Sequence, residues 1–239
     1  MPFLNQHYKS LLILLVLAVG IIITSHQANF QDFLAQGDHG RDLYAAQAVY
    51  RGELPFRDFW WDYGPLMPYY YGLFFKILGT HISSMLTGKI VLKILGGILM
   101  CLGLMELASG PAAFLAACWF MLFQQEFFYT YCHLGGIVLI LGVAFCLLSY
   151  IQKNSLKAAW GCLAFILTLF LVKINFGLTA LAVSVLTVGM ADYVRRSPVT
   201  NAKKIFYTLA FVGLPFFVFI IYWSMLKNLT ITELTQCLP

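Results

Sequence analysis

The chain has 239 residues, of which 61% are hydrophobic and only 10% are charged. Soluble domains carry roughly 25% charged residues, so this composition excludes an ordinary soluble enzyme and indicates a membrane protein. The net charge of +5 does not indicate nucleic-acid binding, because the basic residues are spread along the chain and act better as determinants of membrane topology.

The first apolar segment, residues 11–24 (LLILLVLAVGIIIT), follows a short N-terminus that carries Lys9. A secretory signal would need a small-x-small cleavage site after it, and SHQANFQD contains none. We therefore predict an uncleaved first span.

Hydropathy predicts an all-α polytopic membrane protein with about seven transmembrane helices, because each crossing needs about 20 apolar residues. The predicted spans are residues 8–26, 85–107, 111–130, 134–150, 157–172, 174–191 and 204–226. The segment 66–79 (LMPYYYGLFFKILG) is apolar but too short to cross, and its length favours an interfacial or re-entrant helix.

Lys and Arg concentrate in short cytoplasmic loops, which places residues 153–157 and 195–204 inside. Counting spans from these loops puts the N-terminus in the cytoplasm and the C-terminus outside. The long first loop, about residues 26–84, then faces outward together with His133 and Lys173. We expect a multi-pass protein of a bacterial inner membrane whose first outer loop carries juxtamembrane helices.

The first outer loop is unusually polar for this chain. Residues 37–66 (GDHGRDLYAAQAVYRGELPFRDFWWDYGPL) contain five carboxylates and three arginines. Asp38 and Asp42 precede or open a helix-compatible stretch, where backbone N–H groups favour an ionised carboxylate. Asp58 and Asp62 bracket aromatic residues, an arrangement that suits a sugar site, although an interfacial aromatic belt or a solvated cap of paired charges would have the same composition.

This loop resembles the first extracytoplasmic loop of the GT-C membrane glycosyltransferases, specifically the bacterial relatives of protein O-mannosyltransferase and of lipid A aminoarabinose transferase (glycosyltransferase family 39-like). In that family an acidic residue opens the loop, an Ala-rich helix with a Tyr follows, and then come G-x-x-P-[YF]-x-D and a Gly-Pro-Leu or Pro-Pro-Leu element before an aromatic helix. The matching positions are Asp38, Tyr44, Gly52, Pro55, Phe56, Asp58, Gly64, Pro65 and Leu66.

The resemblance implies that Asp38 is the catalytic acidic residue. The family's usual Asp-Glu pair is Asp38-His39 here. The segment TYCHLGGIVLILGVAFCLL resembles a later outer segment that carries an Asp in many members, with His133 as its nearest ionisable residue. The Lys-x-x-x-Gly pattern at Lys173 and Gly177 resembles the family segment whose lysine lies near the lipid phosphate.

Ionisable residues within apolar segments are costly and indicate function by default. Lys173 interrupts an apolar run, and Lys89 and Lys93 lie one helical turn apart. Each of these lysines either binds a phosphate or extends to the headgroups. His133 precedes Gly135-Gly136 and either faces the same cavity or is structural.

From these observations we expect an inverting glycosyltransferase that moves a sugar from a polyprenyl-phosphate donor to an acceptor hydroxyl of a glycan, lipid or protein, with Asp38 as general base. A divalent cation is an open expectation, with Asp38 and Asp58 as candidate ligands. The alternatives are a transporter or flippase for a lipid-linked glycan, or an inactive or C-terminally truncated relative. The predicted substrate-binding residues are Arg41, Asp42, Tyr44, Arg57, Asp58, Trp61, Asp62, Tyr63, Lys89, Lys93, His133 and Lys173.

Overall fold

The computed structural model describes residues 2–27, 38–123, 131–195 and 200–226, and within these ranges the chain is almost entirely helical. The helices are α1 (Pro2–Gln27), α2 (Asp38–Tyr50), α3 (Leu66–Leu78), α4 (Ile82–Leu104), α5 (Gly110–Phe123), α6 (Tyr131–Lys153), α7 (Leu156–Val172), α8 (Ile174–Val194), α9 (Asn201–Thr208) and α10 (Leu214–Leu226).

The predicted all-α class is confirmed. Among the described residues, four helical segments are long and apolar enough to cross a membrane: His7–Ser25, Ile82–Leu104, Cys132–Lys153 and Ile174–Val194. Three further apolar helices are shorter: Gly110–Leu122, Leu156–Val172 and Leu214–Met225. The seven crossings predicted from hydropathy therefore stay a prediction.

One end of the helix bundle is marked by ion pairs. The Nζ of Lys9, on α1, lies 4.0 Å from the Oε1 of Glu106, which follows α4. Glu106 also pairs with Lys153 at the end of α6, and the Nη2 of Arg195 donates to the Tyr150 carbonyl at 3.3 Å. The beginning of α1 and the ends of α4, α6 and α8 thus meet here, which we call the basic end.

The opposite end holds the first loop. Along α6 the helical rise separates His133 from Lys153 by about 30 Å, which matches the hydrocarbon thickness of a bilayer. His133 contacts Tyr63 of the loop, with ring centroids 5.7 Å apart. The helices therefore alternate in direction as the charge count requires, and the side of the membrane that each end faces stays a prediction.

The loop contains the two short helices that its sequence indicated. Helix α2 begins at Asp38, and α3 spans 13 residues before Gly79 ends it in a positive-φ conformation. Helix α3 packs against both α2 and α4. Its buried face includes Tyr71 and Phe75, which join a core with Trp61 and Met85, so the loop is integral to the bundle rather than a solvated cap.

The last predicted span differs from expectation in one respect. Helix α9 is connected to α10 by a π-helical turn, Leu209–Gly213, so the helix begins within the segment counted as a basic loop. Lys203 lies in α9, and its Nζ donates to the Oδ1 of Asp192 at 2.7 Å, while the Tyr150 hydroxyl donates to the same oxygen at 2.6 Å. Lys203 is therefore a buried cation paired with Asp192 rather than part of a solvated loop.

Candidate functional site

The first turns of α2 position the acidic and basic residues of the loop. Asp38 begins this helix, as the sequence predicted for a carboxylate near a helix N-terminus. The side chains of Asp38 and His39 lie outside the described part of the structure. The structure therefore describes the position of Asp38 at the start of the helix, and its role as general base stays a prediction.

Arg41 is held between aromatic rings and carboxylates. Its guanidinium lies 4.9 Å from the Tyr63 ring centroid and 5.6 Å from that of Trp61. Its Nη1 donates to Asp62 at 2.9 Å, and its Nη2 lies 3.6 Å from the Oδ1 of Asp42. Because two carboxylates surround this one cation, Arg41 joins α2 to the 61–63 segment and supplies no net positive charge.

Tyr63 is the centre of the site. Its ring makes an edge contact with Trp61, with centroids 5.8 Å apart, and a second with His133. Its ring also receives the Lys173 Nζ at 5.0 Å from the centroid. Tyr63 thus brings together three residues that the sequence placed on one side of the membrane but could not place in contact.

Lys173 occupies a one-residue break between α7 and α8. Its backbone is extended (φ −159°, ψ 124°), and it ends one helix and begins the next. Besides Tyr63, its Nζ lies 5.3 Å from the ring centroid of Phe176, which also contacts His133. Within the described ranges Lys173 forms no ion pair with a carboxylate, so it is the cation that gives this site its positive charge.

Because the helix is interrupted at Lys173, carbonyl groups at the end of α7 lack the N–H donors that a continuous helix would provide. The N–H of Gly64 donates to the Val172 carbonyl at 2.8 Å. The Tyr222 hydroxyl, from α10, donates to the Phe170 carbonyl at 3.0 Å. These two hydrogen bonds connect the loop and α10 to the C-terminal end of α7.

Gly64 is required at this junction because of space. A Cβ atom there would overlap the Leu171 carbonyl and lie 2.8 Å from the Tyr222 hydroxyl oxygen. The indole Nε1 of Trp61 donates to the Gly64 carbonyl at 3.0 Å. The Gly-Pro-Leu element therefore acts as the docking point of the loop on α7.

Asp58, the second candidate within the loop, is engaged in a turn. It accepts two hydrogen bonds from Arg57, both at 2.8 Å, and one from the Leu54 N–H at 2.8 Å. The Arg57 hydrogen bonds, followed by the Leu54 N–H, lower the Asp58 pKa to about 2. A carboxylate with so low a pKa is a weak general base near neutral pH, so Asp58 and Arg57 stabilise the turn.

The aromatic residues of the loop divide into two groups. Trp61 is 1% exposed, so its indole supports Arg41 from within the core and has no free face for a sugar. Tyr44 and Trp60 are more than half exposed and present ring surface for stacking. The sequence predicted Tyr44 at the site. It did not predict Trp60, whose exposed ring is what distinguishes it from the adjacent, buried Trp61.

Lys89 and Lys93 lie on α4, with Lys93 near the middle of that helix. Lys93 is 3% exposed, whereas Lys89 is partly buried. Burial at mid-helix argues against the alternative that Lys93 extends to the headgroups. The predicted part of both lysines in phosphate binding stays a prediction.

Sequence reasoning missed Phe176 and Tyr222, and it named Phe56 as a motif position without predicting its contact. Phe176 follows Lys173 by three residues, a helical spacing that could have indicated a shared face. Phe56 has a positive φ of 69°, and its ring lies 6.0 Å from that of Tyr222. The pairing of Phe56 with a residue in the last helix has no local indication in the sequence.

Within the described residues, no group of three His, Cys, Asp or Glu side chains is placed to hold a metal ion. Of the two candidate ligands, Asp58 has both carboxylate oxygens engaged by Arg57, and the Asp38 side chain is not described. Divalent-cation dependence stays an open expectation.

Comparisons of the chain with protein-family models, with curated proteins and with solved structures found no match. The class that the fold itself defines is an all-α membrane protein with a cation–aromatic site at one end of its helix bundle.

Proposed function

We propose that the protein is an inverting GT-C-type glycosyltransferase that uses a polyprenyl-phosphate-linked sugar. The observation that carries the proposal is the placement of Lys173. Its ammonium is held against the faces of Tyr63 and Phe176 at the N-terminus of α8, beside a loop whose sequence resembles the catalytic loop of that family.

The Lys173 site has the chemistry of an anion site. A helix N-terminus presents backbone N–H groups and the positive end of the helix dipole. Lys173 adds a full charge at the same point, and the aromatic rings keep its ammonium partly out of water, where an interaction with phosphate is stronger. In transfer from a lipid phosphate, negative charge develops on the departing phosphate oxygen, and cations beside it lower the barrier.

Asp38 supplies the base in this proposal. It lies one helical turn before Arg41, and Arg41 contacts Tyr63, so the start of α2 is directed toward the same cluster. The carboxylate takes the proton from the acceptor hydroxyl as that oxygen bonds to the anomeric carbon. The bond from the anomeric carbon to the phosphate oxygen breaks on the opposite face, and polyprenyl phosphate leaves near Lys173.

The exposed rings of Tyr44 and Trp60 suit the sugar or the acceptor, because aromatic faces stack on C–H surfaces. The mostly apolar surface of the bundle suits the polyprenyl chain. Glycan, lipid and protein acceptors all offer the required hydroxyl group.

The test is transfer of radiolabelled sugar from polyprenyl-phosphate donors to membrane extracts by the purified protein in proteoliposomes. Asp38→Asn should reduce the rate about 10²- to 10⁴-fold, the usual contribution of a general base. Glu53→Gln, which removes a carboxylate of the same loop outside the predicted site, is the matched control and should retain activity. Full activity of a correctly inserted Asp38→Asn protein would show that the base is misassigned.

A transporter or flippase for a lipid-linked glycan is the second candidate, and burial of Lys93 at the middle of α4 favours it, since transporters carry polar groups at mid-membrane depth. Movement of a fluorescent lipid-linked glycan across proteoliposomes, without sugar transfer and with full loss in Lys93→Met, would select it over the enzyme.

A further inference from the structure

A groove separates the end of α2 from α3, away from the Lys173 site. It has a volume of about 610 Å³ and is lined by Val49, Tyr50, Tyr69, Gly72, Leu73 and Lys76. This volume lies within the range of about 300–1,000 Å³ that small-molecule sites occupy. Along α2 the groove begins about 12 Å from Arg41, given the helical rise, so it is a separate feature.

Gly72 forms the floor of the groove. A Cβ atom at this position would lie 3.3 Å from the Ala46 carbonyl oxygen and 3.4 Å from a Val49 methyl group. The two helices therefore approach backbone to backbone, and the side chains on either side of Gly72 form the walls. Both walls are mainly apolar, with the hydroxyl-bearing rings of Tyr50 and Tyr69 among them.

The groove adjoins an exposed apolar stripe of α3. With 13 residues, α3 is about 20 Å long and cannot cross a hydrocarbon core of about 30 Å. Tyr69, Leu73 and Ile77 follow at a spacing of four residues and are 38%, 52% and 67% exposed. Such an apolar stripe on a short helix beside a membrane lies in the interfacial layer, and Leu73 belongs to both the stripe and the groove.

The charges around the groove are unequal. Lys76 is exposed, lines the groove and forms no ion pair within the described ranges. Arg57, which acts electrostatically on Tyr69, is balanced by Asp58. The groove thus combines apolar walls, phenolic rings and one unbalanced ammonium group.

We propose that this groove binds an anionic phospholipid of the surrounding bilayer, with an acyl chain along Leu73 and Gly72 and the headgroup phosphate at Lys76. The occupant follows from charge complementarity and from continuity with the lipid-facing stripe. A zwitterionic lipid would fill the apolar part equally well but would leave the ammonium of Lys76 opposite a headgroup of no net charge. The proposal does not depend on the glycosyltransferase assignment.

The test places a photoreactive benzoylphenylalanine at Leu73 of the full chain, reconstituted in vesicles of equal phosphatidylglycerol and phosphatidylcholine. Either lipid is radiolabelled in turn. We expect crosslinking to phosphatidylglycerol to exceed crosslinking to phosphatidylcholine about fivefold, the factor that one basic residue near anionic lipid contributes. The same probe at Leu186, an exposed position of α8, should label both lipids equally.

Lys76→Gln should bring the two lipids to equal labelling at Leu73, whereas Lys76→Arg should keep the preference. Lys157→Gln, which removes an exposed cation at the basic end, should change nothing. Equal labelling of both lipids in the unmodified background, or a preference that persists in Lys76→Gln, would overturn the proposal.

Discussion

Substitution of Gly64 by alanine tests the docking of the loop most directly. The added methyl group would overlap the Leu171 carbonyl and crowd the Tyr222 hydroxyl. Overpacking of this kind costs about 1–3 kcal/mol. Displacement of the loop also breaks the bond from the Gly64 N–H to the Val172 carbonyl, which contributes about 0.5–1.5 kcal/mol. We therefore expect Gly64→Ala to lower the free energy of unfolding by about 1.5–4.5 kcal/mol.

The assay is SDS-induced unfolding in mixed micelles, monitored by circular dichroism. Gly189→Ala is the matched control, because a Cβ atom there would lie 4.0 Å from its nearest neighbour, the Tyr207 hydroxyl oxygen. Within a helix that change should stabilise by about 0.5–1 kcal/mol. If both substitutions shifted stability in the same direction and by similar amounts, close contact at Gly64 would not be the reason for the glycine.

Three further predictions concern charge, capping and topology. Arg57 lowers the Asp58 pKa from 3.8 to about 2. The contribution of Asp58 to stability is therefore complete above pH 3.8 and is lost as the pH falls through 2. An acid titration of tryptophan fluorescence should show this step, and Asp58→Asn should abolish it. Asn154 has a φ of 51° between α6 and α7, so Asn154→Ala should destabilise by about 1 kcal/mol in SDS unfolding, whereas Asn154→Gly should not. Thr80→Cys should react with a membrane-impermeant maleimide in intact spheroplasts and Lys157→Cys should not; the reverse pattern would invert the predicted topology.

Local patterns predicted the helices of the loop well. The short apolar run from Leu66 predicted a helix too short to cross, and the structure has a 13-residue helix there; its juxtamembrane position stays a prediction. The acidic start at Asp38 and the apolar spacing after it predicted α2, because helix N-termini have a side-chain preference that is readable in sequence.

Contacts between distant segments could not be predicted in the same way. The contact between Tyr63 and Lys173 depends on how the loop packs against the break between α7 and α8. No hydrophobic periodicity in the sequence specifies that packing. The pairing of Lys203 with Asp192 was missed for the same reason, since the sequence grouped Lys203 with the basic residues of the 195–204 loop and gave no indication of its partner in α8.

The double capping of α7 has a consequence for the order of assembly. Gly64, whose N–H donates to the Val172 carbonyl, is synthesised long before Val172. Tyr222, whose hydroxyl donates to the Phe170 carbonyl, is synthesised long after Phe170. In a nascent chain that ends after α8, the Phe170 carbonyl at the end of α7 therefore still lacks its donor. Because contacts between segments so distant in the chain form late, we expect the end of α7 to be fully capped only after α10 has been synthesised.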